Sequence, residues 1–299
     1  MRRCVLSLAT IVVVGTLLSP VPVARAAFPG ANGDVVFGRF TGGQSDIVIA
    51  FASVTGTVRL TSTPDRNEAF PDWNANGTKI AYSRCGSGEF SNCEIFTMDA
   101  DGSNKTRLTN TPGVQETWPA WSPDGTQIAF TSNQDDPFQD VWVMDADGQN
   151  PTKLTTQEGF DAFPEWSPDG TRIAYTSDRR ALDDIWTMDP DGTNKTRLTV
   201  GPGVDERPDW SPDGATLVFS RNNHIWTMDA DGTNEARLRD TQRHEFAPAF
   251  SPNGNRIVFN RADADGDLSV WTMRADGTGA TRKTFLSLDL FPDWQPLKP

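Results

Sequence analysis

One phrase recurs along this chain: a proline, a variable residue, an aromatic residue, a turn such as Ser-Pro-Asp-Gly, and an apolar strand. Its aromatic residues lie 48, 45, 44, 40 and 44 positions apart, at Trp73, Trp121, Trp166, Trp210, Phe250 and Trp294. A period of this length is typical of propellers and solenoids. The repeat therefore restricts the fold class before any single residue is considered.

Each copy reads as four short strands. Asp124-Gly125 is a turn of the kind that joins hairpin strands, since glycine tolerates the positive φ that such turns need. In one copy the predicted strands are 118–121, 127–131, 141–144 and 152–155. Four antiparallel strands per period predict the blade of a β-propeller.

The count of blades comes from the two ends of the repeat. The first copy, residues 28–61, lacks the strand that carries the Pro-x-Trp element, whereas residues 291–296 carry that element alone. We therefore predict an all-β, six-bladed propeller over residues 28–299, in which the C-terminal strand 291–296 completes the first blade. Such a shared blade closes the ring and removes open sheet edges.

The N-terminus has the pattern of a secretory signal peptide, residues 1–26. Arg2 and Arg3 precede an apolar run over 4–18, and Ala24-Arg25-Ala26 provides a cleavage site. The run is shorter than the roughly 20 residues that span a bilayer. We expect a secreted or periplasmic, cell-envelope protein with no membrane span after cleavage.

The composition is strongly acidic, with a formal net charge of -13. Cleavage after Ala26 removes three arginines, so 24 basic residues face 40 acidic ones and the charge becomes -16. This balance disfavours nucleic acid and favours basic partners or cations. Acidity also keeps secreted proteins soluble, which is an equally simple explanation.

Two cysteines remain in the mature chain, Cys85 and Cys93, on either side of a predicted hairpin loop. In an oxidising compartment this spacing predicts a local disulfide.

The motifs P-x-W-S-P-D-G-x-x-I-A-F, I-W-x-M-D-x-D-G and R-L-T resemble the repeat of the TolB-like, WD-repeat-like propeller family over nearly all of the mature chain. The resemblance implies a propeller and a protein-binding role. The Tol-Pal member of the family has an α/β domain before its propeller, whereas this chain passes almost directly from signal to blades. We therefore expect a free-standing, monomeric propeller.

Catalytic signatures are scarce in the sequence. The G-x-S-x-G motif of serine hydrolases is absent, and the two histidines, His224 and His244, lack zinc-site spacing. His244 beside Glu245 could act as an acid–base pair. We expect a binding protein rather than an enzyme, with no certain cofactor.

The Asp-x-Asp-Gly segments resemble calcium loops but lack the terminal glutamate, so they read as turns. A denser run, with Asp263, Asp265 and Asp267, is the strongest candidate for calcium.

An acid stands three residues before the proline in all six copies, and we call this set the strand-start acids: Glu68, Glu116, Asp161, Asp205, Glu245 and Asp289. Placed at one mouth of the channel, they would attract a divalent cation or a basic segment. The alternative is that each acid caps a turn or bonds a neighbouring blade.

These features favour a scaffold that binds a protein or peptide partner at an acidic channel mouth. Two alternatives remain open: a glycan hydrolase or lyase using channel carboxylates, and passive glycan binding on an aromatic platform.

Overall fold

A computed structural model describes residues 31–52, 56–86, 91–135, 137–156, 159–179, 182–264, 266–285 and 288–297. These residues form 24 strands and no helix, so none of them belongs to a helix that could cross a membrane. The predicted signal segment 1–26 and the calcium candidate Asp265 lie outside the described residues.

Six four-stranded antiparallel sheets form the propeller, and their order defines the blades. Blade 1 is β24 (Asp289–Leu297), β1 (Ala31–Thr41), β2 (Gln44–Ala50) and β3 (Thr57–Arg59). Blade 2 is β4 (Asn67–Trp73), β5 (Lys79–Cys85), β6 (Glu94–Asp99) and β7 (Thr106–Arg107). Blade 3 is β8 (Glu116–Trp121), β9 (Gln127–Ser132), β10 (Asp140–Asp145) and β11 (Thr152–Lys153).

The remaining blades repeat this order. Blade 4 is β12 (Asp161–Trp166), β13 (Ile173–Ser177), β14 (Asp184–Met188) and β15 (Thr196–Arg197). Blade 5 is β16 (Asp205–Trp210), β17 (Thr216–Arg221), β18 (His224–Asp229) and β19 (Ala236–Arg237). Blade 6 is β20 (Glu245–Phe250), β21 (Arg256–Ala262), β22 (Leu268–Arg274) and β23 (Thr281–Arg282). The first strands of neighbouring blades contact one another around the ring, so they line the central channel.

The predicted ring closure is confirmed. Strand β24 pairs antiparallel with β1, with Trp294 opposite Val35 and Asp293 opposite Val36. It is longer than predicted, because pairing extends beyond both ends of the range 291–296. The C-terminal strand thus supplies the innermost strand of the blade that the N-terminal strands begin.

The aromatic residues of the repeat pack between blades. Trp73 of blade 2 is fully buried in a cluster with Val36, Ile47 and Ile49 of blade 1. Trp210 of blade 5 occupies the same place against blade 4. Each blade therefore buries one face against each neighbour, and stability is a sum over these interfaces.

The R-L-T motif joins the fourth strand to the third. Its basic residue pairs with the acid at the start of the third strand, as in Arg197–Asp184 at 2.7 Å. Its threonine hydroxyl accepts a third-strand amide N–H at 2.8–3.0 Å. Five threonines make this bond: Thr61, Thr109, Thr155, Thr199 and Thr284.

The two faces of the propeller differ because strand direction alternates within a blade. The turns between strands one and two and between strands three and four lie on one face, which we call the turn face. They are tight: the Ser122 hydroxyl donates to Asp124 at 2.7 Å, and Gly125 has φ +71°. The opposite loop face carries the second-to-third loops and the connections between blades. The predicted Cys85–Cys93 disulfide is present there.

Trp294→Ala should lower the free energy of unfolding by about 3–5 kcal/mol, because it empties the interface that closes the ring. Chemical denaturation measures this change. Val58→Ala, at an exposed position of the outermost strand of the same blade, should stay within about 0.5 kcal/mol of wild type. Equal effects of the two substitutions would show that closure by β24 is not a major source of stability.

Candidate functional site

The strand-start acids are buried rather than free at the channel mouth. All six are at most 1% exposed. In three blades the acid makes a short ion pair with an arginine of the adjacent strand: Arg39–Asp289 at 2.7 Å, Arg84–Glu68 at 2.8 Å and Arg221–Asp205 at 2.6 Å. Asp161 pairs with Arg179 at 2.6 Å. Arginines therefore compensate most of this negative charge inside the protein. Ligand binding by the strand-start acids stays a prediction.

Glu116 differs from the other strand-start acids, because no arginine pairs with it among the described residues. Burial raises its pKa to about 7, against the lowering effect of hydrogen bonds with Thr109 and Thr111. Glu245 is flanked by Arg239 and Arg261, each at 3.7 Å.

The channel wall is shaped by one strained residue in every blade. The residue before the repeated proline has a positive φ of 50–56°, although none is glycine. A β-bulge occurs here in each innermost pair of strands. The six bulged residues are Phe70, Trp118, Phe163, Arg207, Ala247 and Phe291.

Bonds between blades support this uncommon backbone conformation. The N–H of Arg207 donates to the hydroxyl of Thr176 at 3.1 Å, and the N–H of Phe291 donates to Asn260 Oδ1 at 2.8 Å. Each acceptor lies on the second strand of the preceding blade. Such conformations cost on the order of 1–3 kcal/mol and persist where the surroundings fix them.

Four of the six bulged residues place aromatic rings across the mouth of the channel, in a layer that we call the aromatic lid: Phe70, Trp118, Phe163 and Phe291. The Trp118 ring stacks on Phe70 with centroids 3.9 Å apart and meets Phe163 and Phe291 edge-on at 4.6 Å. Trp118 belongs to blade 3 and Phe291 to blade 1. Since these blades are not neighbours, the contact crosses the mouth of the channel.

Arg207 completes the lid. Its guanidinium carbon lies 4.6 Å from the centroid of Phe163, 5.2 Å from Trp118 and 5.4 Å from Phe291. It also pairs with Glu206 at 3.2 Å. Burial lowers the pKa of Arg207, while the ring faces favour its positive charge through cation–π attraction.

Beneath the lid lie four carboxylates, which we call the channel acids: Asp72, Glu165, Asp209 and Asp293. They occupy the variable position of Pro-x-Trp, two residues after the bulge, and Ala120 and Ala249 take that position in blades 3 and 6. Asp72 accepts the N–H of Trp121 at 2.8 Å, and Asp293 accepts that of Trp73 at 2.8 Å. Each of these two carboxylates thus links its blade to the next.

The pKa values of all four channel acids are raised. Burial raises the pKa of Asp209 to about 8, partly opposed by the hydrogen bond from Phe250 N–H. Burial raises the pKa of Asp293 to about 7. The pKa values of Asp72 and Glu165 are well above their usual range, first through burial and then through repulsion by the other channel acids. Near neutral pH the set is therefore partly protonated.

A cavity of about 110 Å³ is lined by the aromatic lid and the channel acids together. It has space for several water molecules or the end of one long side chain. Within the described residues, no group of three or more Asp, Glu, His or Cys side chains is arranged to hold a metal ion.

The other predicted site residues are not brought together. His244 is exposed whereas Glu245 is buried, and no hydrogen bond joins their side chains in the described structure. Asp263 Oδ1 accepts the backbone N–H of Asp267, as in a turn. Asp265, the middle acid of this loop, lies outside the described residues, and calcium binding here stays a prediction.

Sequence reasoning missed both the lid and the channel acids. A usable signal was present in the sequence: four of the six copies carry an acid at the variable position between the proline and the aromatic residue. The sequence does not indicate the bulge, since none of the six residues that adopt a positive φ there is glycine.

Asp209→Asn should raise the free energy of unfolding by on the order of 2 kcal/mol at about pH 9, while changing it little at about pH 4. A carboxyl whose pKa is higher in the folded chain contributes stability at low pH, and that contribution is lost as pH rises through the folded pKa. For Asp209 this window runs from about 4 to about 8. Denaturation across this range measures it.

Asp213→Asn is the matched control, because a hydrogen bond from Ser211 lowers the pKa of that turn-face carboxyl. The Asp213→Asn substitution should not raise the free energy of unfolding at high pH. A gain equal to that of Asp209→Asn would indicate a general charge effect.

Comparison with known proteins is consistent with this architecture. A family model described as "TolB beta propeller domain" matches residues 71–298. TolB of Acinetobacter baumannii superposes with a TM-score of 0.76 at 22% identity, covering 88% of this chain and 67% of that one. A putative TolB of Agrobacterium tumefaciens gives 0.67 at 23% identity, covering 89% and 92%.

A more distant structure is the oligogalacturonate lyase of Vibrio parahaemolyticus, with a TM-score of 0.57 at 15% identity, covering 81% of this chain and 77% of that one. At these identities the likeness concerns the fold alone. A search of curated proteins found no match.

Proposed function

Because this chain belongs to the family of TolB β-propeller domains, we propose that it is a non-catalytic scaffold that binds a partner protein. The partner docks on the loop face, and an extended, basic segment of it lies over the mouth of the channel. The protein acts outside the cytoplasm, in the periplasm or after secretion.

The observation that carries this proposal is the distribution of exposed apolar side chains. Among the described residues, six large hydrophobic side chains that are at least 37% exposed lie on the loop face: Phe138, Leu182, Val200, Val204, Phe285 and Leu288. Val200 and Phe285 are 73% and 76% exposed. Large apolar side chains exposed on one face give a partner apolar surface to bury on that face. The turn face carries short polar turns instead.

The channel mouth suits an extended segment for two reasons. Three rings of the aromatic lid, those of Trp118, Phe163 and Phe291, are partly exposed, and such rings pack apolar and cationic side chains. The channel acids below it, and a net charge of -13, favour a basic occupant. A positive charge near these acids would promote their ionisation and release protons.

The location rests on two features. Residues 1–26 have the pattern of a cleaved signal, and the Cys85–Cys93 disulfide suits an oxidising compartment. Both agree with a partner in the cell envelope.

The mature chain, immobilised and exposed to an extract of its native envelope, should retain a specific partner. The double variant Val200→Asp with Phe285→Asp should retain at least about tenfold less, since it places charge in the apolar contact. Val58→Asp, on the outer edge of blade 1, is the control and should retain as much as wild type. Equal retention by all three would refute docking on the loop face.

The channel contribution has its own measurement. Affinity for the captured partner should rise between about pH 6 and pH 8.5, because the ionised channel acids attract a basic segment. Asp209→Asn combined with Asp293→Asn should abolish most of this rise. A pH dependence unchanged in the variant would place the basic segment elsewhere, while leaving docking on the loop face intact.

A further inference from the structure

Blade 5 departs from the repeat at two positions that lie side by side. Where four other blades have an acid at or near the start of the third strand (Asp46, Glu94, Asp140 and Asp184), blade 5 has His224. Where the other blades have the threonine of R-L-T, blade 5 has Arg239. The first change removes a negative charge and the second adds a positive one. This part of an acidic protein is therefore locally basic.

The structure gathers more positive charge at the same place. Arg261, on the second strand of blade 6, and Arg239 both approach Glu245, and Arg237 and Arg243 are close enough to act on the charges of this cluster. Among the described residues, two carboxylates pair with these four guanidinium groups: Glu245, which is fully buried, and Asp240, which is exposed beside Arg237. Within this part of the structure a surplus of two positive charges remains.

The central carboxylate does not satisfy its arginines. Arg239 Nε and Arg261 Nε each lie 3.7 Å from Glu245, whereas the corresponding ion pairs of other blades measure 2.6–2.8 Å. Neither Glu245 oxygen has a hydrogen-bond partner within the described residues, and neither has Arg239 Nη1, although all three atoms are buried. Buried donors without acceptors cost free energy, so this donor calls for an added acceptor.

His224 does not neutralise the cluster. Its Nδ1 lies 3.0 Å from Arg237 Nη2, so in this pair it accepts the hydrogen bond and the ring is neutral. Burial and the charge of Arg237 lower the pKa of His224. The site thus has a rim of arginine donors, a neutral imidazole and a single buried carboxylate.

We propose that the arginine cluster between blades 5 and 6 on the loop face, formed by Arg239, Arg243 and Arg261, binds a dianionic oxyanion of the phosphate type. Guanidinium groups hold such oxygens with paired, charge-assisted hydrogen bonds, and two negative charges match the local surplus. The anion supplies the acceptor that Arg239 lacks and relieves repulsion among the arginines. The chemistry is shared by inorganic phosphate and by a phosphate monoester.

Isothermal titration with sodium phosphate and with phenyl phosphate, at fixed ionic strength, tests this site. Arg239→Thr restores the residue of the other five blades, so the variant should fold. It should weaken binding at least about tenfold, because it removes one charge-assisted contact. Arg59→Ala loses the same charge at an exposed ion pair of blade 1 and should bind like wild type.

The two ligands distinguish the source of the anion. Binding of phosphate but not of phenyl phosphate indicates that the natural ligand is a free ion. Equal or tighter binding of phenyl phosphate indicates the phosphate group of an organic ligand. Either result supports the site if Arg239→Thr weakens the binding. Absence of heat with both ligands overturns the proposal. Equal weakening by Arg59→Ala also overturns it, because it would show diffuse attraction rather than a built site.

Discussion

Packing between neighbouring blades is the constraint on which this structure depends. A four-stranded blade has two apolar faces and can bury both only between two other blades, as Trp73 and Trp210 show. An open row would leave two faces exposed, so the ring must close. Strand β24 closes it by pairing with β1. Six innermost strands are thereby fixed around one axis, and their inward side chains must share a narrow space.

The bulge in each innermost strand decides which side chains enter that space. The bulged residue and the residue two positions later both line the channel cavity, as Phe70 and Asp72 do, because the bulge interrupts the regular alternation of side chains along the strand. The first set forms the aromatic lid and the second the channel acids. Burial of the carboxyl groups explains the raised pKa values of Asp209 and Asp293, and repulsion by Asp293 adds to the rise at Asp209.

The sequence was sufficient for the fold because turns, strands and blade interfaces are local features copied in every repeat. The blade count, the shared blade and the disulfide follow from Trp73, Trp294, Cys85 and Cys93. The site was harder, because the bulge changes which residues face the channel and leaves no glycine as a signal. The strand-start acids recur as regularly as the tryptophans, yet Arg84 and Arg221 compensate them within their own blades.

In a repeat protein, the positions at which one copy differs from the others indicate a specific function better than the positions that all copies share. A residue type that is needed to build a blade recurs in every copy. The recurrence of the strand-start acids is therefore weak evidence that they bind a ligand. Departures carry more information. Arg207 stands where four other blades place an aromatic ring, and Arg239 stands where five others place threonine. Neither substitution is required by the packing of a blade, since the other blades are built without it. Arg207 lies in blade 5, and Arg239 lies in the connection that follows it. The loop face near blade 5 therefore differs from the corresponding surface of the other blades.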